Sequence, residues 1–218
     1  MGRLHLIMGC MFAQKTTELL RRVRRYQSIG HKVLVVNFIG DTRYGTECVA
    51  SHDKVFEKAV CVRTLRELQP MITNYDVIAI DEGQFFTDLF DCITEWADTL
   101  PIHIVIAGLS GNFKREPFGD ILRLIPHAEE VEHLNAFCAV CRDGTIATFS
   151  KYIECTDTLE CTDTLECTDT LECTDLKECT DLKECPDLQE HNDKQNKETI
   201  KIGGAESYKP VCRKHFLM

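Results

Sequence analysis

Residues 9–20 read GCMFAQKTTELL. A glycine, four residues, and then Lys15 and Thr16 opening a helical pattern outline the phosphate-binding loop G-x-x-x-x-G-K-[ST]. Gln14, however, stands where that pattern has its second glycine. The flanks agree with the outline: LHLIMG (4–9) reads as a strand and TTELLRRVRRYQSIG (16–30) as a helix. Leu19, Leu20, Val23 and Tyr26 or Gln27 fall at helical spacing there, and Gly30 closes the pattern. In such a loop, backbone N–H groups and the helix N-terminus hold a polyphosphate. The lysine reaches its β- and γ-phosphates, and the hydroxyl ligates Mg²⁺. With Gln14 in place, the motif by itself does not separate a phosphate loop from a chance likeness.

Working outward, short apolar runs alternate with helical patterns over the first 150 residues, which predicts an α/β sheet with crossover helices. KVLVVNF (32–38), VIAID (77–81) and IHIVIAGL (102–109) join LHLIMG as strands. Their nearly continuous Val and Ile content fits parallel strands buried on both faces. TDLFDCITEWADTL (87–100) reads as a second helix, with Thr87 or Asp88 as its N-cap.

A chain of 218 residues buries a real core as one domain or two small ones. It has no apolar run of membrane-spanning length and no secretory signal, and its opening MGRLHL lacks the Ser/Thr of a myristoylation signal. It therefore reads as soluble, intracellular and cytoplasmic. Thirteen cysteines are unexpected in a reducing compartment, but six of them lie in a repeat. ECTDTL occurs three times, ECTDLK twice and ECPDLQ once, fading into EHNDKQ. Residues 154–190 carry thirteen Asp/Glu against two Lys, a net of −11. The whole chain is −10, so the remainder is close to neutral, without the basic excess that marks a nucleic-acid binder. A six-residue period suits neither helix nor strand here, and the composition is that of a solvated, disordered loop. A cysteine-rich metal-loading tract is the other reading.

Two further stretches carry chemistry. VIAIDEGQFF (77–86) ends an apolar strand in Asp81, the form of a Walker B carboxylate that helps hold Mg²⁺. Glu82 follows and points elsewhere, where it could orient a nucleophile; an acidic helix cap after a strand is the plain alternative. CAVC (138–141) and CRKH (212–215) together offer three thiolates and an imidazole, a closed tetrahedral set for structural Zn²⁺. Free cysteines or a redox C-x-x-C are the alternatives.

In this order, and with the wording between them, these elements resemble the cellular-type (type II) thymidine kinase family of animals and large DNA viruses. The likeness rests on GCMFAQKTTELLRRVRRYQ, DTRYG (41–45), IDEGQFF (80–86), GLSGNFKREPFGDI (108–121), LNAFCAVC (134–141) and IGGAESYKPVCRKH (202–215). It covers residues 3–153 and 199–216.

The resemblance implies a P-loop-type, mostly parallel sheet flanked by helices, with a small zinc-binding lid domain. The nucleotide-binding domain would span 1–134, the lid 135–153 and 199–218, and the acidic insert 154–198. The implied reaction transfers the γ-phosphate of ATP to the 5′-hydroxyl of thymidine or deoxyuridine, giving dTMP for DNA synthesis.

Residue by residue, Glu82 falls on the general base. ATP and Mg²⁺ fall to Gly9, Cys10, Met11, Phe12, Ala13, Gln14, Lys15 and Thr16, to Asp41, Thr42 and Arg43, and to Asp81, Gly83 and Gln84. Phe113 matches the aromatic that stacks on the pyrimidine, and Met11 and Leu109 match the lining of the base pocket. Tyr208 with Thr199, Ile200, Lys201, Ile202 and Gly203 matches the loop that closes over thymidine. Cys138, Cys141, Cys212 and His215 match structural zinc ligands. A homotetramer inhibited by dTTP is the family's habit, with neither nucleic acid nor membrane as partner.

Four departures stand against this pattern. Gln14 replaces the loop glycine, and Cys10 replaces a proline. Tyr152 falls where an arginine usually stands, and the repeat lengthens the lid, which loop-closure entropy tolerates at about 0.6 kcal/mol per doubling. An active kinase is the leading expectation. A weakened member that still binds nucleoside and a metal-binding interaction protein are the alternatives.

Overall fold

The computed structural model describes residues 2–39, 48–50, 56–153 and 207–218. Asp41 to Arg43, the acidic repeat and Thr199 to Gly203 lie outside the described residues. The chain opens with β1 (Arg3–Gly9) and α1 (Lys15–Ser28), then returns through β2 (Val33–Phe38). An antiparallel pair, β3 (Cys48–Ala50) and β4 (Phe56–Lys58), precedes β5 (Val60–Val62). β6 (Val77–Ile80), α2 (Leu89–Thr99), β7 (His103–Leu109) and β8 (Glu130–Leu134) follow. The order across the main sheet is β5-β2-β6-β7-β1-β8, and every neighbouring pair is parallel.

Both faces of this sheet are buried, which is why its strands read as unbroken apolar runs. On one face Leu4, Leu6, Leu34, Val36, Ile78, Ile80, Ile104 and Ile106 meet α2 through Leu89, Ile93 and Trp96. On the other, the smaller set Ile7, Val35, Ala79, Val105 and Ala107 receives Leu19, Leu20 and Val23 of α1. Leu19, Leu20 and Val23 share one helical stripe. Gly30, at φ 85, ends that helix as its sequence position predicts.

The strands and helices lie where the apolar runs predict them, within two residues at each end. Asp88 does occupy the N-cap position of α2, but its carboxylate accepts from the backbone N–H groups of Leu65 and Arg66 at 3.1 and 3.0 Å. It therefore caps the short 3₁₀ turn Leu65–Leu68, between β5 and β6, and not its own helix. The edge strands β5 and β8 carry no pattern of their own: EVEHL is largely polar, and β1 supplies its hydrogen-bonding partner.

A small module follows the sheet. β9 (Ala136–Phe137) pairs with β10 (Ile146–Ala147), β11 (Phe149–Tyr152) pairs with β12 (Tyr208–Val211), and α3 (Arg213–Leu217) ends the chain. Both pairs are antiparallel. Tyr152 faces Tyr208 in register, and Ile153 N–H donates to the Ser207 carbonyl at 2.8 Å. The module's interior, Ala136, Cys138, Ala147 and Val211, is shared with Cys10 and Ala13 of the loop after β1. The module thus packs directly on that loop.

Candidate active site and metal centre

The loop after β1 is built around unusual backbone. A Cβ on Gly9 would lie 2.2 Å from the Leu134 carbonyl oxygen, so only glycine lets β1 and β8 close together there. Phe12 and Gln14 are both left-handed, at φ 64 and φ 62. Gln14 occupies the conformation that its missing glycine would adopt without strain, at a cost of about 1–2 kcal/mol. Its carbonyl accepts the first helical bond from Glu18 N–H at 3.0 Å, and its exposed side chain accepts from the Thr17 hydroxyl at 2.6 Å. That bond draws the amide out toward solvent along α1. The Lys15 ammonium folds back over the loop and donates to the Cys10 carbonyl at 2.8 Å.

Asp81 ends β6 at 5% exposure, facing the start of α1, and accepts a hydrogen bond from the Thr16 hydroxyl. Burial, and then the charge of Glu82, push its carboxyl up to about 7, while Thr16 and the Lys15 ammonium pull the other way. A buried carboxylate beside a second acid and a hydroxyl is a donor set that suits a hard divalent cation. Glu82 follows in the left-handed region, at φ 52. Its Oε2 accepts from the Gln84 side-chain amide at 2.6 Å, and Gln84 Oε1 accepts from Leu109 N–H at 2.9 Å. Gly83 packs so closely that a Cβ there would lie 2.6 Å from Ile106 Cγ2.

Across the site, the loop after β7 carries Phe113, half-buried, into a cluster with two tyrosines of the module. Ring centroids are 5.7 Å apart for Phe113 and Tyr152, 6.5 Å for Phe113 and Tyr208, and 5.4 Å for the two tyrosines. Burial, and then Tyr152, raise the Tyr208 hydroxyl above its ordinary pKa. Two residues along, Arg115 lays its guanidinium over the rings of Phe216 and Phe149, at 4.6 and 5.6 Å from their centroids. Met11, within the phosphate loop, and Leu109, at the end of β7, are both half-buried.

In the module, the metal-ligating atoms of Cys138, Cys141, Cys212 and His215 all lie within 4.8 Å of one another. His215 Nδ1 is 3.5, 3.3 and 3.4 Å from the three sulfurs, and the Cys141 and Cys212 sulfurs are 3.8 Å apart. Tetrahedral zinc, with bonds of about 2.3 Å to sulfur and 2.0–2.1 Å to nitrogen, requires sulfurs about 3.8 Å apart and sulfur–nitrogen distances of about 3.5 Å. The four residues fit that ion. Burial opposes ionisation of Cys138, but the backbone N–H groups of Cys141, Cys212 and Val140 and the His215 ring outweigh it and bring the thiol down to about 6. Burial and the neighbouring Cys138 push Cys141 up to about 11. A metal ion held by these four residues would supply the positive charge that lets all three sulfurs ionise together.

The module also touches the phosphate loop through bonds that sequence reasoning did not anticipate. Met11 N–H donates to the buried Ser150 hydroxyl at 2.9 Å, and the Cys10 thiol donates to the Ala147 carbonyl at 3.4 Å. Ser150 and Ala147 lie outside the quoted family stretches, and no local pattern announces these contacts; Arg115 lies within GLSGNFKREPFGDI, where nothing local signals its ring contacts in the module.

Comparison with known proteins agrees with this geometry. The family profile described as thymidine kinase matches residues 2–216. The chain is 37% identical to the thymidine kinase of Rabbit fibroma virus (strain Kasza) over 213 residues, covering 98% of this chain and 95% of that protein. It is 36% identical to the thymidine kinase of Sheeppox virus (strain KS-1) over 217 residues, covering 100% and 98%. Over 150 residues it is 43% identical to the thymidine kinase of Myxoma virus (strain Uriarra), covering 69% and 82%.

Proposed function

The chain belongs to the thymidine kinase family, and from that premise we propose that it transfers the γ-phosphate of ATP to the 5′-hydroxyl of thymidine or deoxyuridine. The observation that best supports this reading is the meeting of the phosphate loop and the acidic strand end: Thr16 bonded to buried Asp81, with Lys15 beside it and Glu82 next in the chain. Phosphoryl transfer passes through a loose transition state, so the protein's work is positioning and charge stabilisation.

In this proposal Lys15 leaves the Cys10 carbonyl for the β- and γ-phosphates, while the N–H groups at the start of α1 face them. Thr16 and Asp81 would hold Mg²⁺, which supplies positive charge against the phosphate oxygens. Asp41, Thr42 and Arg43 contribute near the phosphates and the sugar. Glu82 orients the 5′-hydroxyl and accepts its proton late in the transfer. Phe113 stacks on the pyrimidine, Met11 and Leu109 line its pocket, and Tyr208 with Thr199 to Gly203 closes over it. Zinc on Cys138, Cys141, Cys212 and His215 is structural: four protein ligands leave no open position for catalysis.

Further proposals rest on the family resemblance: a homotetramer, inhibition by dTTP, and a cytoplasmic setting in keeping with thiols kept reduced for metal. Among the described residues no helix is long and apolar enough to cross a membrane. One observation favours a second reading, a weakened kinase: the left-handed backbone at Gln14. ATP consumption measured with and without thymidine, with zinc counted by elemental analysis, tests the proposal. Thymidine-dependent turnover with one zinc per chain is expected; ATP turnover indifferent to thymidine overturns it.

A further inference from the structure

We propose that Gln84 is the positioning residue for Glu82, fixing the carboxylate that aligns the nucleoside hydroxyl to the end of β7. The inference rests on the reading of Glu82 as general base, and it gives Gln84 a role different from the ATP and magnesium contact that the resemblance implies.

The side-chain amide of Gln84 is used at both ends. Nε2 donates to Glu82 Oε2 at 2.6 Å, and Oε1 accepts from Leu109 N–H at 2.9 Å. The orientation has one solution. A flipped amide would set oxygen against the carboxylate and NH₂ against the backbone N–H, losing both bonds. At 3% exposure, Gln84 has no ready exchange with water, so a lost bond leaves a buried polar group unpaired.

The surroundings are shaped to keep it there. A Cβ on Gly108 would stand 2.7 Å from Gln84 Oε1. A Cβ on Gly119, itself at φ 60, would stand 2.2 Å from the Gln84 carbonyl oxygen. Two backbone segments therefore lack side chains where Gln84 passes between them.

Glu82 gains a fixed direction from this. A half-exposed carboxylate on a left-handed residue has several rotamers open to it, and holding one oxygen sets where the other points. A neutral amide does this without bringing another charge to Asp81. Because the second anchor is Leu109 N–H, at the proposed wall of the base pocket, base alignment and pocket geometry are joined through one side chain.

The test is a double-mutant cycle in the full-length, zinc-loaded protein, following turnover with saturating ATP and thymidine and measuring thymidine affinity by calorimetry. Glu82→Gln alone is expected to lower turnover by about two to four orders of magnitude, the range for a general base. Gln84→Met, similar in volume but without the amide, is expected to lower kcat by up to about a hundredfold, as misplaced catalytic groups do. Thymidine affinity should stay within a few-fold. In the Glu82→Gln background, Gln84→Met should cost nothing more. Should Gln84→Met fold poorly by thermal melt, Gln84→Asn keeps a buried amide too short to span both partners and carries the same expectation. An unchanged kcat in these variants, or a loss that multiplies in the Glu82→Gln background, overturns the positioning role. Near-parent turnover in Glu82→Gln itself overturns the base reading instead, a separate signature.

Discussion

The main sheet and the cysteine module are held together by different physics. Around the sheet, two large sets of Leu, Ile, Val, Phe and Trp side chains are fully buried, each contributing about 1.5–3 kcal/mol. Among the described residues, the module and the loop beneath it share six buried apolar residues: three alanines, two cysteines and a valine. That interior is too small to hold two short strand pairs and a five-residue helix in place. Metal bound to a site of this kind contributes about 10–16 kcal/mol in small zinc peptides, which is folding free energy where no other core exists. The sheet therefore carries the phosphate and acid groups on a frame that stands by itself. On the proposed zinc assignment, the module would bring Tyr152, Tyr208 and Ser150 to the site only as firmly as that ion holds it.

The largest expected effect breaks this comparison at its weaker side. Stripping zinc with a chelator should abolish thymidine binding by calorimetry and open the module to proteolysis, while far-UV circular dichroism still reports the sheet. Metal-free protein with intact thymidine affinity would show that the module needs no ion. Next comes the sheet side alone. Gln14→Gly relieves left-handed strain of about 1–2 kcal/mol and should tighten ATP binding by about tenfold with thymidine affinity unmoved. An equal or weaker ATP affinity would mean that the Thr17 contact and its geometry suit glutamine. Smaller still is the link between the regions. Arg115→Ala removes a guanidinium held over Phe149 and Phe216, worth about 0.5–1 kcal/mol, and should weaken thymidine binding by about two- to fivefold. No change would detach the Phe113 loop from the module. Smallest is deletion of Glu154 to Glu190, expected to leave turnover within about threefold, because loop closure changes by only about 0.6 kcal/mol per doubling of length. Loss of activity in a soluble, zinc-loaded deletion would make the repeat a working part of the lid.

Much of the sheet was legible because a strand buried on both faces has no choice but to be apolar throughout, as in VIAI and HIVIAGL. The four-ligand cluster was legible because metal spacing is set by chelation geometry, independent of the 53 residues that separate Ile153 from Ser207 only in sequence. What stayed hidden is tertiary. β8 is a strand because β1 offers it an edge, and Asp88 caps a neighbour's turn because the fold brings Leu65 to it. Gln84 was seen as part of a motif, yet its two partners, Glu82 and the Leu109 N–H, are separated in sequence and meet only across the sheet. Gln14 was visible as an exception to the loop pattern, and its left-handed backbone is what the structure adds.

The antiparallel pairing of Tyr152 with Tyr208, closed by the bond from Ile153 to Ser207, has a genetic consequence. The chain leaves the module and re-enters it at neighbouring points of one ladder, so the stem's register is independent of how many residues intervene. A repeat of closely related hexads is a whole number of codons, and replication slippage across it adds or removes units without shifting the reading frame. Each such event changes the length of the excursion and leaves Tyr208, Cys212 and His215 where they were. Sister lineages that differ in hexad number should therefore share one stem and one metal centre, and this segment becomes a length marker that the fold does not police.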